Sequence, residues 1–245
     1  MRNFITFGIQ IPSMKHCLFL LVLFSSAAFA QPGFSAAESL YRQGNYEGAK
    51  TQFEQYLKTH PNHLASIEYL GDIEGHQKRW EHAISYYSQL KKLRPSEATY
   101  HYKYGGVLGM HAKASNKFKA LGMIGDIRKS FEKAIALDPK HIEARWALIE
   151  LYLQLPGIAG GSESKAQMYA AELLGLSPVD GYLAKGRIAE YFDRFPTAEK
   201  YYKLAVATGG SRTTYQKLAD LYKNKMNQPD KARATWAEFN EKKKS

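Results

Sequence analysis

Along this chain, small and aromatic residues recur at helical spacing within segments and at a fixed period between segments. Ala49, Phe53 and Tyr56 fall on one helical stripe, closed by Pro61. Thirty-four residues later Ala83, Tyr87 and Leu90 repeat the stripe and Pro95 closes it. Each stripe follows a turn segment, Gly44-Asn45-Tyr46-Glu47-Gly48 and Lys78-Arg79-Trp80-Glu81-His82. A constant period of this length predicts stacked helical hairpins, since one hairpin cannot bury its apolar face alone.

The pattern continues with changes. A third copy runs from Tyr104-Gly105 through Phe131 and Ala134 to Asp138-Pro139, with Pro139 lying 44 residues after Pro95, an insertion of ten. A fourth runs from Ile142 through Tyr152, Ala166 and Ala170 to Pro178, with an insertion of five. Two looser copies follow without the closing proline: Ile188, Tyr191, Ala198, Tyr202 and Ala205, then Leu218, Ala219, Tyr222, Ala232 and Trp236. The small residues let two antiparallel helices approach, and the aromatics fill the space between hairpins. The proline stops the second helix and turns the chain into the next hairpin. All of these residues are expected in the core.

These segments resemble tetratricopeptide repeats. Gly71, Ala83, Tyr87, Leu90 and Pro95 of the second copy match the family pattern of small, aromatic and proline positions, as do Ala37, Ala49, Phe53, Tyr56 and Pro61 of the first. The resemblance covers roughly residues 33–240. It implies an all-α fold, an α-solenoid of about six helical hairpins (about twelve helices) in a right-handed superhelix. It also implies that the first helix of each hairpin faces the concave side. On that reading the groove collects Phe34, Glu38, Tyr41 and Arg42, then Glu68, Asp72 and His76, then Tyr102 and Met110, then Glu143, Trp146 and Glu150. Glu68, Asp72, Tyr102, Glu143, Trp146 and Glu150 are the candidate partner-binding residues. An acidic, aromatic cleft suits an extended peptide carrying Lys or Arg and an apolar anchor. The side chains are expected to face solvent, so that Trp146→Ala leaves melting largely unchanged; the alternative is a set of ordinary polar helix faces with Trp146 packed against a neighbour. The family members that clamp a chaperone's C-terminal carboxylate use Lys, Asn and Arg at these positions. Here Glu, Asp and aromatics stand there, and that function is not carried over.

The first thirty residues are of another kind. Lys15-His16 precedes the apolar run Cys17-Leu18-Phe19-Leu20-Leu21-Val22-Leu23-Phe24, and Ala28-Phe29-Ala30 follows. A basic start, an apolar run too short to span a bilayer and a small-residue triplet predict a signal peptide over 1–30, with Gln31 as mature start and Met14 as a possible true start. An uncleaved anchor is the alternative. The repeat domain is then 31–245. Cys17 is the one cysteine and lies inside the apolar run, which speaks against lipidation. The mature chain has no thiol and needs no disulfide, which fits export to a bacterial periplasm or beyond.

Charge changes the picture in one respect. The formal net charge is +11, and such a basic chain raises nucleic acid as a partner. The lysines are spread over all repeats, no recognition motif is present and export removes the chain from nucleic acid, so a protein partner is preferred. The alternative is an accessory protein that meets anionic membrane or cell-wall material through a basic convex surface.

The two insertions carry candidate chemistry. In Met110–Gly125, the apolar Ala114, Phe118, Leu121 and Ile124 are interleaved with Lys113, Lys117 and Lys119. They predict lengthened helices joined by a turn near Gly122 or Gly125, with lysines and a Phe able to touch an anionic surface. In Leu155–Lys165, Pro156 ends a helix, glycines make a turn and Ser162 is the N-cap of the next helix. The phosphate-loop spacing is absent there. No catalytic constellation, cofactor fingerprint or metal site is expected; His60 and His63 flank a turn but lack a third ligand in sequence.

Overall fold

The computed structural model describes residues 32–243, which form an all-α solenoid; the predicted signal peptide and its cleavage point lie outside them. Among the described residues there are twelve α-helices and no strand. They pair in chain order as six hairpins: α1 (Pro32–Arg42) with α2 (Tyr46–Thr59), α3 (Leu64–His76) with α4 (Trp80–Leu93), α5 (Ala98–Ala114) with α6 (Lys117–Leu137). Then come α7 (Ile142–Gln154) with α8 (Glu163–Leu176), α9 (Pro178–Tyr191) with α10 (Phe195–Gly209) and α11 (Arg212–Asn224) with α12 (Pro229–Lys242). Each helix packs on the next, and the hairpins stack into a right-handed superhelix.

The small positions sit where two helices come closest. Ala49, Ala83, Ala134, Ala166, Ala198 and Ala205 have no exposed surface. At Gly71 a Cβ would lie 2.9 Å from Tyr87 Cζ, and at Gly186 only 2.4 Å from Tyr202 Cε1. The ring of each second helix thus occupies the space that a side chain on the first would need. Phe53, fully buried, contributes about 1.5–3 kcal/mol by leaving water. Three expected core aromatics differ. Tyr191 is 41 % exposed, its ring edge-on to Phe192, and Tyr104 and Trp236 are only partly buried.

The turns inside the hairpins share a device. In four of the six a residue in the left-handed region stands two or three places past the first helix: Gly44 (φ +77°), Lys78 (+59°), Asp193 (+55°) and Asn227 (+51°). In all four the next residue's N–H reaches back to a carbonyl of the helix just left: Asn45 to Leu40, Arg79 to Glu74, Arg194 to Ala189 and Gln228 to Tyr222. Such bonds satisfy carbonyls that a helix end leaves open.

The two hairpins without this turn are those with insertions. Between α5 and α6 the turn lies at Ser115–Asn116, not near Gly122 or Gly125. Asn116 decides the place: its side chain accepts from the Lys119 N–H at 3.0 Å and caps α6, which offsets about 1 kcal/mol of unmet helix-end donors. Both glycines are therefore helical. Between α7 and α8, Pro156 and a short 3₁₀ turn (Gly157–Ala159) lead to Gly160 at φ +96°, and Ser162 caps α8 by accepting from the Lys165 N–H at 3.3 Å, as expected.

Candidate functional site on the first helices

The first helices of the hairpins line one face. Alternate helices approach one another between α5 and α7, α7 and α9, and α9 and α11, whereas the second helices stand further apart. In a curved stack the inner elements are the closer ones, so the first helices form the concave side.

Polar bridges tie α1 to α3, α3 to α5 and α7 to α9. Tyr69 Oη of α3 donates to Glu38 Oε1 of α1 at 2.9 Å. Lys103 Nζ of α5 donates to Glu68 Oε1 (2.6 Å) and to both Asp72 oxygens (3.0 and 3.1 Å) of α3. Trp146 Nε1 of α7 donates to Asp180 Oδ1 of α9 at 2.9 Å. Arg187 of α9 grips Glu150 of α7 with two bonds, 2.9 and 3.1 Å. Near the start, Tyr41, Tyr46, Tyr69 and His76 form an aromatic cluster with ring centroids 4.8–6.4 Å apart.

The structure thus brings the six candidate residues into one inner surface as three local sets. Glu68 and Asp72 share Lys103, and Asp72 also accepts from the buried Tyr87 hydroxyl. Burial, then the Asp72 charge, pushes the Tyr87 phenol far above its ordinary range. Burial would lower the Lys103 ammonium, but the two carboxylates outweigh it and raise it. Tyr102 lies beside the His141 ring (centroids 5.0 Å apart), and Glu143 Oε2 is 3.1 Å from His141 Nδ1. Burial first, and Glu143 second, raise the Tyr102 phenol. Trp146 and Glu150 complete the surface one and two turns further along α7.

Two expectations change. The inner face is not an acidic strip at Glu68, Asp72 and Glu150, because each is matched by a cation from the next first helix. Trp146 is not a free surface ring: it is half-buried, packs against the central core and bonds to Asp180. The overlooked partners were findable. Lys103 follows Glu68 by 35 residues, Asp180 follows Trp146 by 34, and Arg187 follows Glu150 by 37. One repeat on, the same helical face comes round again.

Among the described residues no three His, Cys, Asp or Glu side chains come together as a metal site. His60 stacks on Tyr56 (4.2 Å) and His63 caps α3 by accepting from the Ser66 N–H (3.3 Å). No described helix is long and apolar enough to cross a membrane.

The tetratricopeptide repeat family model matches residues 34–98, the first two hairpins. No curated protein matches the chain in sequence. Several solved structures share the fold. A thermophilic tetratricopeptide repeat protein of Thermus thermophilus superposes with TM-score 0.61 at 16 % identity, over 78 % of this chain and 97 % of that one. PilW, a type IV pilus biogenesis factor, gives TM-score 0.62 at 17 % identity, over 84 % and 90 %. MamA gives 0.56 at 19 % identity, over 76 % and 94 %. At these identities the likeness is one of fold.

Proposed function

We propose that this chain, a helical-repeat solenoid whose first two hairpins match the tetratricopeptide repeat family model, is a non-catalytic scaffold of the bacterial cell envelope, holding a protein partner in the groove of its first helices. The observation that carries the reading is the inner surface from Glu38 to Arg187, held by polar bridges from α1 to α3, α3 to α5 and α7 to α9 and by the contact of the Tyr102 and His141 rings between α5 and α7. Those bridges hold the groove in shape before a partner arrives, which lowers the ordering cost of binding. Tyr102, Glu143 and the Tyr41–Tyr69–His76 cluster offer aromatic surface and polar groups together, the composition of recognition sites for extended segments. Because Lys103 and Arg187 stand among the carboxylates, the fitting partner carries charges of both signs around an apolar anchor, rather than being simply basic. The apolar run before Ala28-Phe29-Ala30 supports the envelope reading. So does the fold shared with a pilus biogenesis factor.

The test starts with a partner captured from envelope extract. Glu143→Lys reverses an exposed charge in the groove. It is expected to slow association and change its salt dependence. Wild-type binding is expected to persist between about 50 and 300 mM salt, since an anchored groove is not screened away as surface charge is. Binding that collapses with salt and ignores Glu143→Lys would favour a convex electrostatic surface instead.

A further inference from the structure

The hairpin turns all lie along one edge of the solenoid, and ion pairs trace that edge. Arg79, in the α3–α4 turn, reaches Glu47 at the start of α2 (3.4 Å), and Lys119 reaches Glu81 at the start of α4 (3.1 Å). Arg194, in the α9–α10 turn, reaches Glu163 at the start of α8. On this edge the two exceptional turns, in adjacent hairpins, carry the two most exposed large apolar residues among those described. Phe118 is 88 % exposed and Ile158 wholly so. Leu121 (51 %) stands one turn beyond Phe118, and Met110 (45 %) lies at the end of α5.

The α5–α6 hairpin also reaches further than its neighbours. After the close-packed glycine, α5 continues for nine residues to Ala114, where α3 continues for five to His76. Before the packed ring, α6 has fourteen residues where α4 has seven. At the helical rise this carries the tip about 6–10 Å past the adjoining turns. The tip from Met110 to Gly125 contains Lys113, Lys117 and Lys119 and no Asp or Glu. The segment from Leu151, in the last turn of α7, to Ser162 contains no charged residue at all. Of the nearby carboxylates, Glu81 is paired with Lys119 and Glu163 with Arg194, and Asp126 lies two turns beyond Phe118 along α6.

We propose that this edge, the α5–α6 tip with the α7–α8 loop, docks on an anionic lipid surface. The patch is a pair of apolar points projecting from a convex tip, not a groove, and lysines surround the larger one. Shallow insertion of a Phe and an Ile, with lysines at the headgroups, is how peripheral proteins hold to acidic bilayers. Such docking would leave the concave face open to a protein partner.

The test reads the tip locally in the full chain, so that the N-terminal apolar run cannot mimic it. A nitroxide label is placed at Ala114→Cys in a Cys17→Ser background, with a control label at Gln89→Cys on α4. Vesicles of mixed phosphatidylglycerol and phosphatidylcholine are compared with phosphatidylcholine alone. The label at 114 is expected to lose most of its accessibility to an aqueous relaxant on the anionic vesicles only, while the label at 89 keeps it. The exposed double change Phe118→Ser with Ile158→Ser is expected to abolish that protection. Each of Lys113→Gln and Lys117→Gln is expected to weaken vesicle affinity roughly fivefold. Unchanged accessibility at 114, equal protection at 89, or protection that survives the double change would overturn the proposal. So would protection by soluble protein extract without lipid.

Discussion

Gly186→Ala sets two effects against each other inside one helix. Alanine in a helix interior is favoured over glycine by about 1 kcal/mol. At this position, however, the new Cβ would lie 2.4 Å from Tyr202 Cε1 and 2.5 Å from Cδ1. An ordinary carbon–carbon contact is about 3.5–4.0 Å, so the ring must withdraw by about 1 Å. It has little freedom to do so: Tyr202 is 1 % exposed and its hydroxyl donates to Glu190 Oε2 at 2.7 Å. Overpacking of this kind costs about 1–3 kcal/mol, which cancels or exceeds the propensity gain. Gly106→Ala in α5 is the matched control, because its Cβ would meet nothing within 4 Å. Only the gain of about 1 kcal/mol applies there. The two variants should therefore differ by about 1–3 kcal/mol. With a urea m value of about 2 kcal/mol/M, that separates their unfolding midpoints by roughly 0.5–1.5 M. If Gly186→Ala unfolds at the same urea concentration as Gly106→Ala, or above it, the close approach at the repeat's small position is not what holds these hairpins together.

Burial lowers the His63 imidazole below its ordinary 6.5, with His60 adding to the effect. The folded state therefore holds fewer protons than the unfolded one, and this stabilisation is present above about pH 6.5 and lost as pH falls below it. The neutral Nδ1 also accepts the cap bond, so His63→Asn should keep α3 capped and flatten the stability profile between about pH 7 and 5. Lys78→Gly, which relieves a left-handed lysine, should raise stability by about 0.5–1 kcal/mol, read as a higher urea midpoint. Trp146→Ala should cost about 2–3 kcal/mol through lost packing and the lost bond to Asp180, and Trp146→Phe about 1 kcal/mol or less. Melting unchanged by Trp146→Ala would return that ring to the free surface.

The fold was legible because the constraint that makes a repeat is local and periodic. Ala49 and Ala83 must be small, Phe53 and Tyr87 must fill the adjoining space, and both demands recur at one spacing. The insertions were legible as insertions, but the α5–α6 turn was misplaced: glycine near a helix end is a weak stop signal beside an Asn that can cap, and Asn116 won. The site was legible as a face and misread in its charge. A single first helix shows Glu68 and Asp72 on its inner side, but Lys103, which neutralises them, belongs to the next repeat. Its role depends on a distance between helices that no segment read by itself contains. Trp146 was misread for the same reason, since Asp180 is one repeat away.

Site-resolved photo-crosslinking tests the central claim most directly. A photoreactive residue is placed at Glu143, exposed in the concave groove, and in a second protein at Lys133, exposed on the second helix α6. Both are irradiated in cell-envelope extract under the same salt. A groove scaffold gives one discrete protein adduct from position 143 and none from 133. Adducts from 133 alone, or the same adducts from both positions, would contradict it.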